Sequence, residues 1–125
     1  IIRAALESIA YQTEDLLGQM RADTGNALNA LCVDGGACAN GLLMQFQADI
    51  SGIKVRRRKM NEATALGAAF LAGLTCGFWK NEEELKALLS EETVFSPNMT
   101  REVRTEKLKG WRRAVNCARR WETCE

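Results

Sequence analysis

The sequence predicts an α/β layered fold in which parallel strands are joined by crossover helices and followed by a helical C-terminal tail. Three observations predict it. Apolar residues recur at steps of three and four over the first twenty or so positions, residues 28–33 form a short apolar run stopped by a double glycine, and residues 53–58 alternate apolar with basic. With a further apolar helix after them, the order is helix, strand, helix, strand, helix, the pattern of parallel neighbours linked by crossovers.

Ile2, Leu6, Ile9, Thr13, Leu16 or Leu17, and Met20 form the stripe of the first helix, with Arg3, Glu7, Glu14 and Arg21 off it. This helix has neither an N-cap nor an initiator methionine and starts at full apolar strength, so further polypeptide is expected upstream. It ends at Asp23-Thr24-Gly25-Asn26. The run 28–33 reads as a buried strand, and Asp34-Gly35-Gly36 as the tight turn that stops it. From about residue 39 to 50, Leu42, Leu43, Phe46 and Ile50 line one face of a second helix and Gln45, Gln47 and Asp49 another, with Ser51-Gly52 closing it. Residues 53–58 have the alternation of a strand with one wet face, placed near a sheet edge. Residues 62–77 are apolar or small nearly all round, which predicts a buried helix where Gly67, Ala68 and Gly73 let neighbouring backbone approach closely. A short charged helix is expected over 80–92, a break at Phe95-Ser96-Pro97, and a last helix over about 100–122 burying Leu108, Trp111, Val115 and Ala118. Two strands are too few for a parallel sheet covered on both faces, so the 28–33 run also predicts strand neighbours from upstream chain.

Composition narrows the function classes. Seventeen basic against sixteen acidic residues leave a formal net charge of +1, which gives no global electrostatic attraction to nucleic acid or to an acidic membrane surface. No apolar run reaches the roughly eighteen residues a bilayer span needs, and no secretory leader pattern opens the sequence. A soluble, cytoplasmic chain with no membrane or nucleic-acid partner is the expectation. The five cysteines (Cys32, Cys38, Cys76, Cys117, Cys124) contain no C-x-x-C pair and there is no histidine, so free thiols are expected and no zinc site. Lack of histidine also removes the usual Ser/His and Cys/His nucleophile pairs. The basic run Arg56-Arg57-Arg58-Lys59 offers a phosphate or nucleic-acid patch on a free-standing module; without interleaved aromatics, and balanced by Glu82-Glu83-Glu84, it reads as a solvated strand edge. Trp79, Trp111 and Trp121 read as core or interface anchors, and Met20 and Met44 as packing.

The informative motif is Leu31-Cys32-Val33-Asp34-Gly35-Gly36 with Asn40 at the start of the next helix. Glycines at the carboxyl end of a buried strand allow positive φ and remove the Cβ, so a ligand can lie against backbone where a helix directs its N–H groups. Open α/β sheets bind ligands at this position. The Asn40 amide can donate and accept, as a purine edge requires. Two readings stand at this point: a nucleotide contact, or an ordinary strand-to-helix turn with Asn40 as cap.

Residues 1–12 (Ile1-Ile2-Arg3-Ala4-Ala5-Leu6-Glu7-Ser8-Ile9-Ala10-Tyr11-Gln12) resemble the end of a signature of the FGGY carbohydrate kinases, in its glycerol kinase form. Val33-Asp34-Gly35-Gly36-Ala37 with Asn40, Leu43-Met44-Gln45-Phe46-Gln47-Ala48-Asp49-Ile50, Glu62-Ala63-Thr64-Ala65-Leu66-Gly67-Ala68-Ala69 and Gly77-Phe78-Trp79 resemble the same family in order, across essentially the whole chain. The resemblance implies that residues 1–125 are the C-terminal portion of the family's C-terminal actin-like, ribonuclease-H-like ATPase domain. It implies ATP-dependent phosphorylation of glycerol to sn-glycerol 3-phosphate, with ATP/ADP and Mg as nucleotide and metal, and a homo-oligomer for the whole enzyme. Gly36 and Asn40 match the family's adenine-nucleotide contacts, and Gly35 belongs to the same turn. The family's phosphate loop, glycerol-binding residues, metal ligands and aspartate base lie upstream of this segment, so no catalytic residue is assigned and the chain alone is expected to be inactive. Asp34 and Glu62 are read as a turn-shaping residue and a helix N-terminal acid. Acceptor identity rests on the resemblance alone: Ile9-Ala10-Tyr11-Gln12 and Leu43-Met44-Gln45-Phe46-Gln47 favour glycerol over a pentose or hexose. The chain departs from the family at Arg58, where a proline is usual, and at Gly41, which loosens the helix start. Residues 97–106 depart from the bacterial pattern too, and no regulatory partner is carried over.

Overall fold

The computed structural model describes residues 1–58, 63–88 and 92–121. Glu62, Lys59 and Cys124 lie outside the described residues. Helix α1 (Ile2–Thr24) ends in a left-handed Gly25 at φ 66° whose N–H returns to the Arg21 carbonyl. Strand β1 (Ala30–Val33) leads into a 3₁₀ turn (Gly36–Ala39) and then helix α2 (Gly41–Ser51), closed by left-handed Gly52. Strand β2 (Lys54–Arg58), helix α3 (Ala63–Thr75), helix α4 (Glu82–Leu88), strand β3 (Glu92–Phe95) and helix α5 (Arg101–Arg119) complete the order.

The strands form one sheet in the order β1-β2-β3. β1 and β2 are parallel, with Leu31 opposite Val55 and Val33 opposite Arg57, as the crossover pattern predicts. β3 was not legible as a strand and runs antiparallel to β2, with Val55 opposite Phe95, so the sheet is mixed and β2 is its central strand rather than an edge. The alternation in β2 reports a central strand with one covered face: Val55 is fully buried while Lys54 and Arg56 are exposed. β1, expected to be buried, is only partly covered, because among the described residues it pairs on one side alone.

The core is built around α2. Leu43, Met44, Phe46, Ala48 and Ile50 pack with Ala10 of α1, Val55 of β2 and Leu108 of α5. Tyr11 meets Phe46 edge-on at 5.5 Å and stacks on Trp111 at 5.2 Å, and Trp111 Nε1 donates to Asp15 at 2.7 Å. The buried face of α1 is therefore Ala10, Glu14 and Leu17, while Ile2, Ile9, Leu16 and Met20 are exposed. The predicted stripe was rotated because a carboxylate was assigned to the outside. Gln47 was likewise assigned to the polar face of α2, yet it is buried and donates to the Ala10 carbonyl at 3.5 Å, whereas Leu42 is exposed. In α5, Leu108 is buried, Trp111 and Val115 are half-buried, and Ala118 is exposed; Trp121 stands 83% exposed rather than acting as an anchor.

Glu14 is 7% exposed. Its Oε1 accepts from Arg21 Nη2 at 2.5 Å and Arg104 Nη2 at 2.9 Å. Arg104 also donates to the carbonyls of Ile50 at 2.6 Å and Ser51 at 3.1 Å, so one guanidinium ties α5 to both α1 and the end of α2. Gly52 sits against this group, where an added Cβ would come within 3.3 Å of Arg104 Cζ.

Helix α3 differs most from expectation. Its composition predicts burial, but Thr64, Ala65, Ala68, Ala69, Leu71 and Ala72 are exposed, Leu71 at 70%. What covers it among the described residues is Trp79, whose ring lies where a Cβ on Gly73 would fall, about 2.1 Å away, and which meets Phe70 edge-on. A helix apolar on all sides needs neighbours on all sides, and one indole covers one.

Two tests follow from the Glu14 cluster. Arg104→Met leaves the buried carboxylate with one arginine and frees two helix-end carbonyls, and it is expected to lower stability by about 2–3 kcal/mol, read as the urea midpoint. An unchanged midpoint would show that the cluster does not hold α5. Burial pushes the Glu14 carboxyl up from its usual range, against the pull of Arg21 and Arg104. A carboxyl held more tightly protonated in the folded chain costs stability as pH rises from the unfolded carboxylate range through the raised folded value. Relative to Glu14→Gln, the unmodified chain should lose stability across that window. A gain instead would mean that the two arginines outweigh desolvation.

Candidate functional site

The glycine motif from which a site was predicted lies where the parallel pair ends. Gly35 takes φ 87°, a value that L side chains rarely adopt, and so turns the chain out of β1. The 3₁₀ turn that follows is closed by Cys38 N–H to the Gly35 carbonyl at 3.1 Å and Asn40 N–H to the Ala37 carbonyl at 3.2 Å. The Cys38 thiol, buried, donates to the Asp34 carbonyl at 2.8 Å. Burial first, and then the Asp34 carboxylate, push this thiol up from its usual range against the pull of Arg57, which favours the protonated form that donates. Asp34 shapes the turn through its carbonyl.

Asn40 is the N-cap of α2. Its Oδ1 accepts from the N–H groups of Leu42 at 3.0 Å and Leu43 at 3.1 Å. The capping reading of this residue is therefore correct, and it is compatible with a ligand contact through the other half of the amide. With Oδ1 committed to the helix, Nδ2 is the group left to meet a ligand, so Asn40 offers a donor and not the donor–acceptor pair expected from the sequence. The cap also anchors the helix start that Gly41 loosens. Beyond local backbone, a Cβ added at Gly35 or Gly36 would meet nothing within 4 Å. The turn is open on that side, the room a ligand lying against backbone needs.

The structure thus brings Gly35, Gly36 and Asn40 together at one end of the sheet. It adds two residues that sequence reasoning did not assign: Cys38, and Arg57, which donates through Nη1 to the carbonyls of Cys38 at 2.8 Å and Ala39 at 3.3 Å and lies 5.3 Å over the Phe95 ring. The signal for Arg57 was its period-two relation to buried Val55, which puts both on one face of β2. Arg56 is paired across the sheet with Glu92 at 2.7 Å, so two members of the basic run are engaged within the fold. Among the described residues no three His, Cys, Asp or Glu side chains are grouped to hold a metal ion, and the four cysteines there are free thiols. A hollow of about 1100 Å³ along α5, between Glu106, Arg113, Asn116 and Trp121, is lined by that helix and its end alone and lies apart from the glycine turn.

Residues 1–76 match the model of the C-terminal domain of the FGGY family of carbohydrate kinases. The chain belongs to that family. This FGGY chain is 57% identical over 122 residues to glycerol kinase from Alkaliphilus oremlandii and 61% identical over 122 residues to glycerol kinase from Pseudomonas fluorescens. These alignments cover 98% and 97% of the chain and 24% of each relative, so it spans about a quarter of the length of the curated relatives it matches. The crystal structure of Plasmodium falciparum glycerol kinase with ADP is similar at a TM-score of 0.81 and 38% identity, over 93% of this chain and 23% of that one. A ligand-bound xylulose kinase from Lactobacillus acidophilus, 21% identical with a TM-score of 0.67 over 94% of this chain and 23% of its own, shows the shared fold alone. The α/β arrangement read from the sequence is that of sugar-kinase structures.

Removing the cap gives the test of this geometry. Asn40→Ala deprives two α2 donors of their acceptor and should cost about 1 kcal/mol in denaturant unfolding, whereas Asn40→Ser, which keeps a capping oxygen, should cost a few tenths. Equal losses would mean that the cap does not set the helix start.

Proposed function

We propose that this chain supplies an adenine-nucleotide-binding wall to an ATP-dependent glycerol kinase, with Gly36 and Asn40 as the contacts and Gly35 as the residue that turns the chain toward them. The observation that carries the reading is the open glycine turn beside a capping asparagine whose Nδ2 remains available. A nucleotide base laid against Gly36 would meet backbone without a Cβ in the way, and Asn40 Nδ2 would donate to an acceptor nitrogen on its edge. The identity to bacterial glycerol kinases and the likeness to an ADP-bound one support the nucleotide and the acceptor.

In this reading residues 1–125 are the C-terminal portion of the family's C-terminal domain. The whole protein transfers the γ-phosphoryl group of ATP to glycerol, with Mg held by residues outside this segment, and works as a cytoplasmic homo-oligomer without nucleic acid or membrane as partner. No described helix is long and apolar enough to cross a membrane. Phosphoryl transfer depends on placing the nucleotide and neutralising its charge, and this chain's share is the placing.

Isothermal titration of the folded chain with ADP tests the proposal. Gly36→Ala adds one methyl that meets no protein atom within 4 Å, and Asn40→Ser keeps the cap while removing the amide. Both should fold as the unmodified chain does and bind ADP roughly tenfold more weakly, the scale of one lost contact. Unaltered affinity in both variants would remove these residues from the site, and a folded chain with no ADP affinity would overturn the nucleotide reading.

A further inference from the structure

We propose that Arg57 is a positioning residue for nucleotide recognition, holding from β2 the turn on which Gly36 and Asn40 are presented; this rests on the nucleotide reading above. Register places it there. Arg57 is opposite Val33, the last residue of β1, so its side chain reaches the turn that begins one residue later. Its Nη1 donates to the Cys38 and Ala39 carbonyls, and its guanidinium carbon lies 5.3 Å over the ring of Phe95 on the neighbouring strand.

These two carbonyls belong to the two peptide units that immediately precede Asn40. A peptide unit is planar, so fixing its carbonyl fixes its orientation. Holding the Ala39 carbonyl therefore sets the Asn40 N–H, and with it the direction in which the Asn40 side chain leaves the backbone. Asn40 itself is extended, at φ −76° and ψ 102°, and the residue after it is glycine. The junction is held by the two cap bonds, by the backbone bonds from Asn40 N–H to the Ala37 carbonyl and from Met44 N–H to the Asn40 carbonyl, and, from β2, by the Arg57 bridge. Arginine suits the task because a planar guanidinium can donate to two acceptors while stacking on an aromatic ring. A lysine ammonium in its place is a strongly hydrated point charge on a flexible stem and would hold the two carbonyls less firmly.

The prediction separates positioning from mere support. In ADP titrations of the chain, Arg57→Gln should bind about tenfold more weakly, the scale of losing charge-assisted hydrogen bonds. GDP, which presents a different base edge on the same diphosphate, should be affected less, so the ratio of ADP to GDP affinity should fall toward one. Arg57→Lys should lie between, and Phe95→Leu, which removes the stacking face but leaves the guanidinium, should shift the ratio in the same direction. A general loss of structure would weaken both nucleotides together and leave the ratio unchanged. An unchanged ratio in Arg57→Gln, or in Arg57→Lys if the glutamine variant does not fold, overturns the positioning role and leaves the nucleotide reading standing. Absence of ADP binding by the unmodified chain removes that reading and this inference with it.

Discussion

A carboxylate buried among helices is the constraint around which this chain is arranged. Glu14 cannot be left without cations once α1 lies on α2, and the cations come from two turns further along α1 and from α5. Arg104, in meeting Glu14, also meets the free carbonyls at the end of α2. Three helices are thereby fixed at one point, and the aromatic cluster of Tyr11, Phe46 and Trp111 covers the seam beside it. Glu14 Oε2 has no partner among the described residues, consistent with a group whose burial outweighs its pairing.

The consequence for function runs through α2. Its C-terminal end is held by Arg104 and its flank by α1 and the sheet, so its N-terminal end is presented rigidly at the carboxyl edge of β1 and β2. There the backbone turns at Gly35, and Asn40 spends its oxygen on the helix and keeps its nitrogen for whatever lies in front. In the proposed nucleotide contact this one side chain would join fold and recognition. Arg57 holds the same turn from the neighbouring strand, so that among the described residues the turn is framed by a crossover unit, strand, turn, helix, strand, with Phe95 of β3 beneath the guanidinium.

Much of this was legible because it is local. The glycine turn, the Asn40 cap, the helix ends at Gly25 and Gly52 and the parallel pairing of β1 with β2 follow from residue types whose backbone preferences act over a few positions. The errors were made where distant partners decide. Glu14 and Gln47 look like surface residues until Arg104 and the Ala10 carbonyl are placed beside them. β3 has four residues within a charged segment, and only its pairing to β2 makes it a strand. The basic run looked solvated because the acceptors of Arg57 and the Glu92 partner of Arg56 are far away in sequence. Conversely α3 reads as a core helix, and its apolar flanks are uncovered by the described residues.

The most direct measurement of the central claim is a nuclear magnetic resonance titration of the isotopically labelled chain with ADP, following the backbone amides of residues 34–43 and the side-chain amide of Asn40. The account predicts saturable shifts concentrated at Gly35, Gly36 and the Asn40 Nδ2 protons, with α5 unmoved. Shifts confined to α5 or its groove, or none at all in a folded chain, would contradict it.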